Sequence, residues 1–134
     1  MSNITQVVNV EKNMRMLKKG VHASDLDQLL SSTGPFTLFA PTDAAFEKLA
    51  KGMMENLLEP QNRVELTQLI NNHIIMGKVL FDDLTDGLTL KTAGGKSLQV
   101  QVKEGTVSIG ESNIQLRNGK ISNGLVHVID TVLA

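Results

Sequence analysis

Hydrophobic and polar positions change their rhythm once along the chain, near Gly77. Before it, apolar residues recur at three- and four-residue intervals, the spacing of one helix face. After it they alternate with polar residues, as on a half-buried strand. The stretch from Asn3 to about Lys19 carries Ile4, Val7, Val8, Met14 and Leu17 on helical spacing, with a break near Asn9. Gly20 weakens the next turn, and Ser24 stands where it would N-cap a second helix through Leu26, Leu29 and Leu30. Ser31 to Pro35 reads as a turn, and Phe36 to Ala40 as a short buried strand.

Pro41 ends that strand because it has no N–H to donate. Thr42 then offers a hydroxyl cap, and Asp43 a negative charge, to a helix over Asp43–Lys51 with Ala45, Phe46, Leu49 and Ala50 on its apolar face. The motif reads as a joint that fixes a strand–helix angle, since no base or second acid stands beside its hydroxyl. A short helix in "MMENLLEP" stops before Pro60, and Arg63 to His73 is helical through Val64, Leu66, Leu69 and Ile70. "IIMGKVLF" reads as a strand. Further strands run at Leu88–Leu90, Leu98–Val102, Val107–Ile109 and Ile114–Leu116. Gly94-Gly95, Glu104-Gly105 and Asn118-Gly119 supply turn signals between them. The last run, "GLVHVIDTVLA", is nearly all apolar and reads as a central strand. Helices first and strands after make an α+β domain, with helices layered on a sheet. The expected unit is one domain, residues 1–134.

Composition narrows the function classes. A formal net charge of −1 gives no general pull toward nucleic acid or an anionic membrane. There is no cysteine, hence no disulfide, thiolate metal site or Cys nucleophile. Four Phe with no Tyr or Trp, all in apolar settings, count against sugar and single-stranded nucleic-acid binding. No apolar run reaches the roughly 18 residues that would span a bilayer. Residues 1–20 lack the basic and apolar regions of a signal peptide. The chain as written is thus cytosolic, or a mature region that has lost a targeting segment.

Three motifs carry a resemblance. "FTLFAPTDAAFEKL" resembles the first signature of the fasciclin-type (FAS1) domain, "LINNHIIMGKV" its central segment with His73 as the family's His, and "NGLVHVIDTVLA" its second signature. The likeness covers essentially the whole chain and points to a bacterial single-domain member. It implies the FAS1 fold, a twisted antiparallel or mixed β-sheet wedge with an α-helical layer from the N-terminal half. It implies a noncatalytic module for cell adhesion or matrix contact, secreted or at a cell surface, with a protein or glycan partner, no cofactor and no membrane insertion. An extracellular polysaccharide- or small-ligand-binding module is the alternative. The motif residues carried over, as structural or interaction positions, are Phe39, Pro41, Thr42, Asp43, Phe46, His73, Gly77, Asn123, Gly124, His127 and Asp130. Asn72 stands where the family has Tyr. Asn118-Gly119 stand where some animal members carry an Asp-Ile pair tied to integrin binding, so integrin binding is not implied.

Other patterns weigh toward structure. His22, His73 and His127, with Asp43 and Asp130, have no metal-ligand spacing. His73 and His127 read as buried rings with one partner each, His73 bonding near Thr42 or Asp43. Asp82, Asp83 and Asp86 lack the spacing and closing Glu of a calcium loop. "TAGGKS" lacks the first Gly of a phosphate loop and reads as a hairpin turn. No G-x-S-x-G occurs. Met14, Met53 and Met76 read as core filler, and Met16 and Met54 as the methionines to seek on the surface.

Overall fold

The computed structural model describes residues 14–24, 26, 35–48, 52–110, 112–121 and 124–133. The expected helix over residues 3–13, the second helix through Leu29 and Leu30, the turn at residues 31–34, and Leu49 to Lys51 lie outside the described residues.

β1 (Phe36–Pro41) is buried at all six positions. That is why its sequence shows a dense apolar run, broken only by Thr37, rather than alternation. It lies inside a seven-stranded sheet of order β2-β1-β7-β6-β5-β4-β3. β2 (Ile74–Met76) pairs with it antiparallel and β7 (Gly124–Ile129) pairs with it parallel. The sheet is therefore mixed, with β7 central as its composition implied. β3 (Thr89–Lys91), β4 (Ser97–Lys103), β5 (Thr106–Ile109) and β6 (Ser112–Ile121) form an antiparallel series on the other side of β7. The β4–β5 connection is Glu104-Gly105, both at positive φ (52° and 80°), which suits the twist of a tight hairpin. Thr92 and Lys96 close the β3–β4 turn, so "TAGGKS" is a hairpin loop.

Two apolar clusters flank the sheet. One collects Phe36, Leu38, Ala40, Ile74, Val126 and Val128 under the helices α1 (Arg15–Ala23), α2 (Asp43–Glu47) and α4 (Arg63–Asn71). The other joins Phe39, Ile75 and Ile129 to Leu98, Val100, Val107 and Ile109 of β4 and β5. Phe39 thus faces away from the helices, stacked on His127 with ring centroids 5.7 Å apart. The short α3 (Met53–Leu57) and a 3-10 turn at Pro60–Asn62 lead into α4.

Several expectations are corrected. The strand expected through "IIMGKVLF" ends at Met76, and Phe81–Asp83 is a 3-10 turn. The Gly77 carbonyl and the Val79 N–H are taken by the Thr37 hydroxyl (2.8 and 2.9 Å), which diverts the chain from the ladder. Asn118-Gly119 is no turn: β6 runs through it, with register shifts between Ile114 and Gly119 absorbing the irregularity. Ser24 C-caps α1, its hydroxyl donating to the Gly20 and Val21 carbonyls, while the helix it was expected to open lies, apart from helical Leu26, outside the described residues. Gly20 does not interrupt α1 and is buried within it. Of the expected core methionines only Met14 is buried; Met53 (42%) and Met76 (59%) are exposed. Met16 is half-buried against the helix-side cluster.

Candidate functional site

Thr42 caps α2 as its sequence position suggested. It holds extended backbone, and its hydroxyl accepts the Ala45 N–H at 3.2 Å. Asp43 does more. Its carboxylate accepts the Met16 N–H at 2.8 Å, in the first turn of α1. The N-cap of α1 is Met14, which offers no side-chain acceptor, so the joint lends that helix a cap from elsewhere. Phe46 and Pro41 are buried beside it.

His73 is fully enclosed, and both ring nitrogens are used. Nδ1–H donates to the Leu69 carbonyl (2.8 Å), and Nε2 accepts the Leu133 N–H (2.8 Å). The expected imidazole bond to Thr42 or Asp43 is therefore corrected: the ring ties the end of α4 to the chain's last residues. Its backbone carbonyl, not its ring, reaches β1, accepting the Phe39 N–H at 2.9 Å. Burial lowers the His73 pKa from 6.5 to about 4, against the pull of the Leu69 bond and with help from Lys96. His127 bonds the Val79 carbonyl through Nε2 at 2.8 Å, and burial lowers its pKa too, against that same bond. His127 and Thr37 together pin the segment that follows Gly77 to the sheet.

Asp130 terminates β7. Its carboxylate accepts the Asn113 N–H (2.9 Å) and the Thr131 hydroxyl (3.1 Å). Burial alone would raise its pKa, but these bonds and the Lys48 charge outweigh that and hold it below the ordinary value. Lys48 Nζ donates to the Asp130 carbonyl at 2.7 Å, tying α2 to the same corner. Gly124 meets Phe36 so closely that no Cβ would fit. Asn123 lies outside the described residues.

The motif residues do not converge on one cavity. Thr42 and Asp43 serve helix ends, His73 the C-terminal segment, His127 the loop after β2, and Asp130 the β6–β7 corner. Among the described residues no buried side-chain nitrogen or oxygen lacks a partner, and no group of three His, Asp or Glu could hold a metal. Asp83 and Asp86 accept the Leu80 and Val102 N–H groups, as turn carboxylates do. No described helix is long and apolar enough to cross a membrane.

What faces solvent instead is a groove of about 500 Å³ between α3 and α4, lined by Met53, Leu57, Val64, Glu65, Gln68, Leu69 and Asn72. Val64, 79% exposed, also borders a second depression with Arg63, Thr67 and Gln68. Asn72 is buried at one wall and accepts from Gln68 Nε2 at 3.2 Å. Sequence reasoning counted Val64 with the core face of α4. The signal against it was present: Val64 stands about 200° around the helix from Leu66. Leu66 and Ile70 are the two that are buried.

Known proteins agree with this architecture. Residues 12–134 match the Fasciclin domain family. The chain is 35% identical to Protein sll1483 of Synechocystis over 130 residues, covering 97% of this chain and 72% of that protein. It is 33% identical to transforming growth factor-beta-induced protein ig-h3 of Sus scrofa over 134 residues, 98% of this chain but 19% of that much longer one. In structure it is similar to a FAS1 domain pair from the insect cell adhesion molecule fasciclin I (TM-score 0.86, 19% identity), covering 99% of this chain and 51% of that one. The signatures, the mixed sheet and the match over residues 12–134 lead to one conclusion: the chain belongs to the fasciclin (FAS1) domain family.

Proposed function

We propose that this chain is a noncatalytic binding module that works at a bacterial cell surface or in extracellular matrix, engaging a protein or glycan there without entering the bilayer. One observation carries the reading. The described polar signature groups Asp43, His73, His127 and Asp130 make internal hydrogen bonds, while the apolar groove between α3 and α4 is left open to water. Exposed apolar surface in a folded domain marks a place for a partner. The setting is supported by the relatives: one solved structure comes from a molecule described as an insect cell adhesion molecule.

The test uses beads coated with purified protein and cells of the source organism. Wild-type beads should retain cells, and a Met53→Lys/Val64→Lys variant should retain few. Wild-type beads that hold no more cells than bare ones would end the adhesion reading. Equal retention by the variant would move the contact away from the groove. Antibody labelling of intact cells tests the surface setting, which fails if signal comes only after lysis.

The groove's size favours a second reading, a small apolar ligand, because it falls within the usual range of small-molecule pockets. Among the described residues its lining holds no aromatic ring on which a sugar could stack, which weakens the polysaccharide version. A decanoate titration that raises the Tm of wild type but not of Val64→Lys would favour this reading. No shift at any decanoate concentration would remove it.

A further inference from the structure

After Ile129 the chain leaves the sheet but stays buried. Asp130 to Leu133 runs as a strap, held by single bonds rather than a ladder. The Asp130 N–H goes to the Asn113 carbonyl (3.1 Å), the Thr131 N–H to the Ser112 hydroxyl (3.0 Å) and the Leu133 N–H to His73 Nε2 (2.8 Å). Val132 inserts into the helix-side cluster and Leu133 into the other. The far half of the strap therefore rests on two apolar seats and one imidazole nitrogen.

We propose that His73 is an acid-operated latch: a proton taken up at Nε2 expels the Leu133 N–H and lets the strap swing open from Thr131 onward. The bonding pattern fixes the neutral tautomer, because Nδ1–H must donate to Leu69 for Nε2 to accept from Leu133. Protonated Nε2 becomes a donor pointing at another donor. Nδ1–H keeps its bond to Leu69, so the tie that breaks is the one to the strap.

Burial lowers the pKa of His127 as well, but its ring bonds the Val79 carbonyl and not the strap. Lys96, on the β3–β4 turn, disfavours the charged His73 ring in the closed form. β1 and β2 carry no titratable side chain. On α4, Arg63 and Glu65 lie in the first turn, at the opposite end from His73. The Asp130 carboxylate is taken by Asn113 and Thr131, and that of Asp43 by Met16. On α1 and α2 the remaining charged side chains, such as Lys18, Lys19 and Glu47, face solvent.

Opening returns the ring to water and to an ordinary imidazole pKa of about 6.5. Between there and about 4 the open form binds a proton that the closed form refuses. The opening constant then rises by up to about tenfold per pH unit, and by about 40-fold from pH 6.5 to 4.5.

Amide hydrogen exchange by NMR reads this directly, as protection factors corrected for intrinsic rates. Leu133 should lose about 40-fold in protection over that range, well ahead of Leu38 and Val126 in the sheet. In His73→Gln, whose amide oxygen can accept but does not titrate, Leu133 protection should stay level. Leu133 falling in step with Val126, or not falling at all, would overturn the latch. An identical fall in His73→Gln would do the same. Should that variant fail to fold, the wild-type ring decides through its nitrogen chemical shifts. Imidazolium must appear together with strap opening, and a ring still neutral while the strap is open refutes the proposal.

Discussion

Replacing Gly124 by Ala should cost far more stability than one methyl group suggests. A Cβ at this position would lie 1.8 Å from the Phe36 carbonyl oxygen and under 3 Å from two more Phe36 backbone atoms. An unstrained carbon–oxygen contact is roughly 3.3 Å, so the strands would have to part by about 1.5 Å. The N–H···O bonds of a ladder do not survive that stretch. The pairs Phe36↔Gly124 and Thr37↔Leu125, at one end of the central parallel ladder, would go. Each lost bond forfeits about 1 kcal/mol, and each buried group left unpaired costs about 1–3 kcal/mol more. The sum is about 4 kcal/mol, a large share of the roughly 5–15 kcal/mol that holds an ordinary domain together. The midpoint of thermal unfolding should drop by roughly 15 °C. Urea titration followed by far-UV circular dichroism suits a chain without Trp or Tyr. Gly105→Ala is the control. Its φ of 80° is equally unsuited to Ala, but nothing lies within 4 Å of the added carbon, so about 1 kcal/mol is expected. Equal losses at the two positions would show that backbone conformation, not the close approach of β1 and β7, is what Gly124 provides. A Gly124→Ala loss under about 0.5 kcal/mol would refute the reasoning outright.

Further outcomes follow from the same geometry. Thr42→Ala should cost about 1 kcal/mol through the lost α2 cap, read in the same urea titration. Asp43→Ala should cost about as much at the start of α1, and amide exchange should rise at Met16. The Asp130 pKa is below its unfolded value, so its contribution is full above the ordinary carboxylate range and fades as pH falls through the folded value. Asp130→Asn should therefore flatten the acid side of the stability–pH curve, and an unchanged curve would contradict this. Val64→Lys should leave stability within about 0.5 kcal/mol of wild type, because that side chain already faces water.

The parts of the fold legible in the sequence are those whose cause is local. β1 shows as a dense apolar run, Thr42 as a cap next to the helix it serves, and Glu104-Gly105 as a turn between strands that adjoin in sequence. What failed depended on distant partners. Asn118-Gly119 is a turn signal, yet β7 pairs along β6 and a register shift absorbs it. "IIMGKVLF" has strand composition throughout, but the Thr37 hydroxyl claims its backbone after Met76. His73 could be read as buried, while its ring partner Leu133 lies at the other end of the chain's course. The groove was half legible, since the angular spread of apolar residues around α4 already required one of them to face outward.

The parallel pairing of β1 with β7 has a consequence for how the chain is made. Phe36–Pro41 emerges from the ribosome well before its central partner Gly124–Ile129, with β2 to β6 made in between. Until β7 emerges, β1 can have a neighbour on one side only, β2. The sheet's middle closes only once β7 has left the exit tunnel, and closing it joins segments far apart in the sequence. Such distant pairings fold slowly, in milliseconds to seconds, and leave an adhesive strand edge uncovered in the meantime. A domain built this way stays dependent on chaperone shielding until β7 has emerged, and chains cut short before Gly124 would be released as aggregation-prone fragments rather than smaller working domains.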